Sequence, residues 1–425
     1  MNGHSSSLRP PSSSSSSVSI EGIKEASSSV SIEGIKEAAD RIRPFVHRTP
    51  LLRCSFLENS ILGAAALVGG GGAAVNGSAD EREGPGVFFK CENLQKVGAF
   101  KIRGACNAVS LLKQENPETA AVVTHSSGNH AQALALAARL HGLRALVVMP
   151  KDSPKVKVAA VEGYGGEITF CEPNQQARED TADLLLKKHG GTFIHPYDDT
   201  RVVCGQGTVG LEIAQDLKGL DAVVIPVGGG GLLSGTAVAI KALTPTTRVI
   251  AAEPVNADDA KRSFEAGEKK LNEAPPQTVA DGLKTNLGDV TWPLIRQTVD
   301  EVISVSESEI LSALRLVMER MKLVIEPSAA VGVAACLRPE FAERGYKRVC
   351  VVLCGEEEDD EEEKKEKEEE GKGSFLEKIE GGDGLRTQSR IDVKAEGREE
   401  EDEEEEEEEK EEDYWYNPRY FHRKL

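Results

Sequence analysis

Lys101 lies between two apolar residues, in Phe100-Lys101-Ile102. An amine wedged there is partly desolvated, which lowers its pKa and makes neutral amine available for a Schiff base with an aldehyde. A lysine snorkelling from an ordinary helix face is the plainer alternative. A second group of reactive types falls in Thr124-His-Ser-Ser-Gly-Asn-His130. Its hydroxyls, amide and imidazole gather where a helix rich in Ala and Leu begins, a place suited to a carboxylate. A third stretch, Gly228-Gly-Gly-Gly231, separates an apolar run from another helix start. Consecutive glycines let backbone N–H groups close on an anion. The glycine run at 69–72 is discounted, because no helix start follows it. Last, Glu253-Pro-Val-Asn-Ala-Asp-Asp259 sets two carboxylates six residues apart around a loop. Such a pair can share a hard cation through oxygen, or simply form a solvated acidic turn.

Each of the first three sites is preceded by an apolar run: 87–89, 120–123 and 223–227. The common plan is strand, polar or glycine turn, helix N-terminus. Candidate strands fall at 87–91, 120–124, 145–149, 167–171, 192–195, 221–227, 248–252, 301–305 and 348–354. Their alternation with helical patterns predicts an α/β fold with parallel sheets. Nine strands exceed one ordinary sheet, so two lobes are expected. Upstream, Ser31 is placed to cap a helix with Ile32, Ile35 and Ala39 on one face.

Of the 425 residues only 4% are aromatic, so the core must be built from Val, Ile, Leu and Ala. No apolar run approaches the roughly 20 residues that span a bilayer. The eight cysteines show no C-x₂-C pair, which suggests reduced, buried thiols in an intracellular, cytoplasmic enzyme. The net charge of −20 is concentrated at one end, since residues 355–425 hold 31 acids and 13 bases. The rest is nearly neutral and needs no nucleic-acid partner. Residues 1–30 read as a disordered Ser-rich leader, with organelle import as a lesser reading. Within and beyond it, Ser15–Ala26 and Ser27–Ala38 are identical. Residues 61–86 read as a flexible insertion, and 355–425 as an acidic disordered tail ending in an aromatic cluster at 414–422.

Taken together, Lys101, the Ser-Ser-Gly-Asn-His loop and the tetraglycine turn resemble the fold-type-II family of pyridoxal-phosphate enzymes, the serine/threonine dehydratase and serine racemase group. The resemblance covers roughly residues 40–354. It implies a tryptophan-synthase-β-like fold, with a large lobe from 31–120 and 199–354 and a small lobe from 121–198. It makes Lys101 the cofactor lysine, with Phe100 beside it. Gly228, Gly229, Gly230, Gly231 and Leu232 would hold the phosphate, Asn129 the ring hydroxyl and Cys354 the pyridine nitrogen. Ser126, Ser127, Asn129 and His130 would bind the substrate carboxylate. Ser127, rather than only capping a helix, would be the second proton donor that racemisation needs, and His130 has a packing role as its alternative. The resemblance gives Glu253, Ala257 and Asp259 as ligands of Mg²⁺, Ca²⁺ or Mn²⁺. It also implies a homodimer acting on a small amino acid, and an ATP activator at Ser55 and Lys96. Val97 stands where vertebrate racemases have Thr, and Glu356–Glu358 where the racemases continue Gly-Asn-Val. The implied activity is serine racemisation with dehydration to pyruvate and ammonia. Threonine or 3-hydroxyaspartate dehydration is the alternative, and an inactive protein with an acidic interaction tail is a second.

Overall fold

The computed structural model describes residues 30–63 and 84–354. The leader, most of the expected insertion and the acidic tail lie outside those residues. Helix α1, Ile32–Ile42, is capped as expected: Ser31 Oγ accepts from the Gly34 N–H at 3.1 Å. Its buried face is Ile35, Ala38 and Ile42, with Ile32 and Ala39 at the margin.

All nine expected strands form, within two residues of their expected limits. One sheet contains β1 (Leu51–Arg53), β2 (Gly86–Cys91), β7 (Ala222–Pro226), β8 (Arg248–Pro254), β9 (Glu301–Val305) and β10 (Arg348–Leu353). Its order is β1-β2-β10-β7-β8-β9, parallel except for the edge pair β1–β2. The three-residue β1 was not foreseen; at that length it carries no period to read. The second sheet is all parallel, in the order β5-β4-β3-β6. It comprises β3 (Ala121–His125), β4 (Arg144–Pro150), β5 (Gly166–Cys171) and β6 (Thr192–Phe193). Helix α2, Ser55–Leu62, and the start of β2 at Gly86 trim the expected insertion to 64–83, outside the described residues.

Three helices govern the interior. They are α3 (Lys101–Glu115), α4 (Asn129–Leu140) and α7 (Thr200–Asp216), with α5 (Lys155–Gly163) and α6 (Gln175–His189) between the last two. Helix α7 meets α3 almost backbone to backbone: a Cβ on Gly205 would lie 2.5 Å from the Arg103 carbonyl oxygen. That approach surrounds four charges. Arg103 is fully buried and bonds Glu92 through Nε at 2.8 Å and Glu212 through Nη1 at 2.8 Å. Lys90, also fully buried, reaches Glu212 at 2.5 Å and donates to the Thr49 carbonyl at 2.7 Å. Two positive and two negative groups balance, which is what makes such burial tolerable. Burial opposes the Arg103 charge, but Glu92 and Glu212 outweigh it and hold the guanidinium above its ordinary pKa.

Removing one member leaves its partners buried and uncompensated. Arg103→Ala should therefore lower unfolding stability by about 3–5 kcal/mol in urea titrations. Arg43→Ala, which breaks an exposed pair with Asp40, should shift it by less than about 0.5 kcal/mol.

Candidate active site

The carboxyl ends of β2, β10 and β7 lie on one edge of the larger sheet, set by the parallel pairings Leu353↔Cys91 and Val351↔Val224. Segments leaving that edge carry the chemistry, as open parallel sheets dictate. After β2 the chain turns through Val97 (φ 57°) and Gly98 (φ 64°). The left-handed backbone suits Gly98 but strains β-branched Val97, by about 1–3 kcal/mol. Burial of Val97 against α3 and α4 holds the turn in place. Lys101 then opens α3, half-buried, with Nζ 5.3 Å from the Phe100 ring centroid. Nζ donates to the Pro196 carbonyl at 3.0 Å. The side chain is turned inward, not snorkelling.

After β7 comes the tetraglycine turn, which leads into α8 (Gly231–Leu243). Gly230 adopts φ 90°. A Cβ on Gly229 would fall 2.4 Å from the Tyr197 ring, so only glycine fits beneath that aromatic. The carbonyls of the turn are taken up by protein: Thr291 Oγ1 donates to Gly229 at 2.8 Å and Ser234 Oγ to Gly230 at 2.7 Å. The first amides of α8 have no partner within the helix, an arrangement suited to an anion.

The loop after β3 faces the same space. Lys101, Ser126, Ser127, Asn129, Gly228–Gly231 and Cys354 line one cavity of about 1110 Å³, together with Phe100, His130 and Leu232. Gly128, not Ser127, is the N-cap of α4. Ser127 is half-buried and makes no hydrogen bond among the described residues, so the capping alternative fails. Ser126 Oγ accepts from the Gly128 N–H at 3.4 Å. Asn129 donates from Nδ2 to Glu326 at 3.3 Å, while its buried Oδ1 has no partner. His130 is buried with Nε2 3.2 Å from the Ile194 carbonyl, while its Nδ1 has no hydrogen-bond partner among the described residues. Burial and the nearby Lys101 charge hold its pKa well below the usual range.

Glu253 and Asp259 are buried beside the 3₁₀ turn Val255–Ala257, at the start of α9 (Asp259–Ala266). Glu253 accepts from the Ala260 and Lys261 N–H groups at 3.1 and 2.8 Å. Asp259 accepts from the Leu287 N–H at 2.9 Å and Asn272 Nδ2 at 3.2 Å. Burial pushes Glu253 up to about 8 and Asp259 to about 6. Among the described residues no group of three or more His, Cys, Asp or Glu forms a metal cluster, so any ion there needs carbonyl or water ligands too. Asp258 is engaged with Arg262 at 2.7 Å.

Sequence reasoning missed the wall made by His195, Pro196 and Tyr197, and it missed Glu326. His195 closes the expected strand 192–195, which the structure ends at Phe193, and Pro196 and Tyr197 follow in a loop with no apolar period. Glu326 precedes Pro327 at the head of α12 (Pro327–Leu337), where it looks like an ordinary helix start. Pro at the first helical position was the signal available.

Comparison with known proteins fits this geometry. The family profile described as "Pyridoxal-phosphate dependent enzyme" matches residues 73–355. The serine racemase of Arabidopsis thaliana is 45% identical over 320 residues, covering 74% of this chain and 89% of the relative. The β-hydroxyaspartate dehydratase of Paracoccus denitrificans is 45% identical over 316 residues, covering 74% and 92%. The crystal structure of serine racemase from Dictyostelium discoideum superposes with a TM-score of 0.68 at 43% identity, covering 77% of this chain and 98% of that one. The chain belongs to the pyridoxal-phosphate dependent enzymes of fold type II, within the serine racemase and serine/threonine dehydratase family. The cavity suits that cofactor on two observations: the unpartnered Asn129 Oδ1, and a glycine cradle that any Cβ would fill.

Gly229→Ala should lower cofactor affinity at least tenfold in absorbance titrations and depress Tm, because the Tyr197 ring must move. Gly163→Ala, at an open position of ordinary φ, should be neutral or stabilising by up to about 1 kcal/mol.

Proposed function

We propose that the protein interconverts L- and D-serine and also dehydrates serine to pyruvate and ammonia. The observation that carries this reading is the shared cavity of Lys101, Ser127 and the tetraglycine turn. Pyridoxal phosphate, when bound, supplies an electron sink that acidifies the substrate Cα. Lys101 would carry the cofactor and move a proton at Nζ on one face of that carbon. The Ser127 hydroxyl, with no competing partner, would deliver or take the proton on the other. Asn129 Oδ1 would accept from the ring hydroxyl, Gly228–Leu232 would bind the phosphate, and Cys354 would face the ring nitrogen. The free N–H groups at the start of α4, with Ser126, Ser127, Asn129 and His130, would orient the substrate carboxylate. Closure of the 121–198 lobe over the large lobe of 31–120 and 199–354 would exclude water.

Glu253 and Asp259, with the Ala257 carbonyl, would bind Mg²⁺, Ca²⁺ or Mn²⁺; their all-oxygen donor set supports a hard cation. A cytoplasmic homodimer completes the reading, supported by exposed apolar residues at Leu94 and Val324, where Asn93 Nδ2 donates to the Val324 carbonyl. ATP at Ser55 and Lys96 is the least supported part, since Val97 offers no hydroxyl.

Chiral chromatography of L-serine incubations should show D-serine, and pyruvate should accumulate alongside. Keto acid without D-serine would favour a dehydratase instead. Lys101→Ala should abolish both products. Ser127→Ala should cut racemisation by about 10²–10⁴-fold and spare part of the elimination. An unchanged D-serine rate in that variant would refute the Ser127 role.

Saturating Mg²⁺ should raise Tm. At 100 times Kd the gain is about 2.7 kcal/mol. Glu253→Gln should remove the response, and an equal response in that variant would place the ion elsewhere.

A further inference from the structure

The loop between β6 and α7 is tied down at several points. The Ile194 carbonyl meets His130 Nε2, and the Pro196 carbonyl accepts from Lys101 Nζ at 3.0 Å. The Asp198 carboxylate accepts from the N–H groups of Asp289 and Val290 at 2.9 and 2.8 Å. Between them, His195 Nδ1 accepts from the N–H groups of Tyr197 at 3.3 Å and Asp198 at 2.8 Å. A ring nitrogen that accepts two backbone N–H bonds holds no proton. The neutral imidazole therefore carries its proton on Nε2.

The ring is also fixed in orientation. It packs edge-on against Tyr197, with centroids 4.7 Å apart at 87°, and against Phe193 at 6.2 Å and 67°. Burial pulls its pKa down to about 4 despite the Asp198 charge, so the ring is neutral at physiological pH. His195 lines the cavity beside Lys101. Among the described residues, its Nε2 has no hydrogen-bond partner. It is a rigid, neutral donor, one residue from the carbonyl that receives the Lys101 amine.

Several polar groups of the cavity already have work under the proposed reading. The start of α4 takes the substrate carboxylate, the glycine turn the phosphate and Asn129 the ring hydroxyl. His130 Nε2 is committed to Ile194. The substrate side chain still lacks a donor; His125, Arg178, Lys284 and Thr285 also line the cavity, but His195 is the one whose ring is fixed in orientation beside Lys101, and it supplies the donor. Resting on the racemase–dehydratase reading, the geometry points to His195 as a specificity residue. Its Nε2–H donates to an oxygen on the substrate side chain, selecting β-oxygenated amino acids over alanine.

Stopped-flow absorbance titrations of the holoenzyme with L-serine and L-alanine test this, using the parent, His195→Asn and His195→Gln. Asn keeps an acceptor near Nδ1 and removes the donor facing the cavity; Gln places an amide N–H near Nε2. His195→Asn should load cofactor and melt like the parent, bind serine about tenfold more weakly and bind alanine unchanged. His195→Gln should recover part of the serine affinity. In the parent holoenzyme, the ¹⁵N shift of His195 Nε2 should move on adding serine and stay put with alanine, a readout that needs no variant to fold. Unchanged serine affinity in His195→Asn, equal losses for both amino acids, or an Nε2 shift insensitive to serine would each overturn the role of His195 alone. A parent protein that takes up cofactor but binds neither amino acid overturns the underlying reading, and this one with it.

Discussion

The Arg103 guanidinium, held between Glu92 and Glu212, is the contact on which the active site depends. Arg103 lies two residues beyond Lys101 on α3, Glu92 follows β2, and Glu212 belongs to α7. One buried cation thus joins the strand that leads into the site, the helix that carries the amine and the helix that packs beneath it. Apolar packing alone would let α3 slide along α7, since glycines make their contact smooth. A charged fork with five donors fixes both spacing and rotation. Lys90 restores neutrality, so the specificity comes without a net buried charge.

The other half of the site is fixed by exclusion of side-chain atoms. The Tyr197 ring occupies the space any Cβ on Gly229 would need, and Thr291 and Ser234 hold carbonyls of the turn. Tyr197 itself belongs to the loop whose Pro196 carbonyl receives the Lys101 amine. Amine and anion cradle, about 130 residues apart in sequence, are therefore referred to one short segment. That gives the cavity its preorganisation, the property that lets fixed dipoles act without rearranging.

The sequence made the periodic parts legible. Strands of Val, Ile and Ala bounded by turns stood out, as did the glycine run and the lysine between apolar neighbours. Less legible were features that depend on two distant segments. Lys90 reads as a break in an apolar strand until Glu212 is seen beside it. His195 and Pro196 sit in a polar loop whose role comes from the groups that cross it. Glu326 carries no local mark of a site, yet it accepts from Asn129 Nδ2 from nearly 200 residues away. Pairings of this kind leave no local period, and β1 is too short to have one.

The duplicated dodecapeptide offers α1 two nearly equivalent sequences for one berth. Through Ala38 the copies are interchangeable, so the choice between them rests on the residues just past each copy. After the second copy come Arg41, bonded to Asn107 at 2.6 Å, and the buried Ile42. The corresponding positions after the first copy are Ser29 and Val30. These two positions alone set one charged hydrogen bond and one methylene in favour of the second copy, roughly 2–4 kcal/mol by the usual worth of such groups. A slippage of twelve residues in the docking of the amino terminus would also put Ser27, Glu33 and Gly34 in the places of Ala39, Phe45 and Val46, which are partly buried against the core, so side chains outside the repeat itself guard the register.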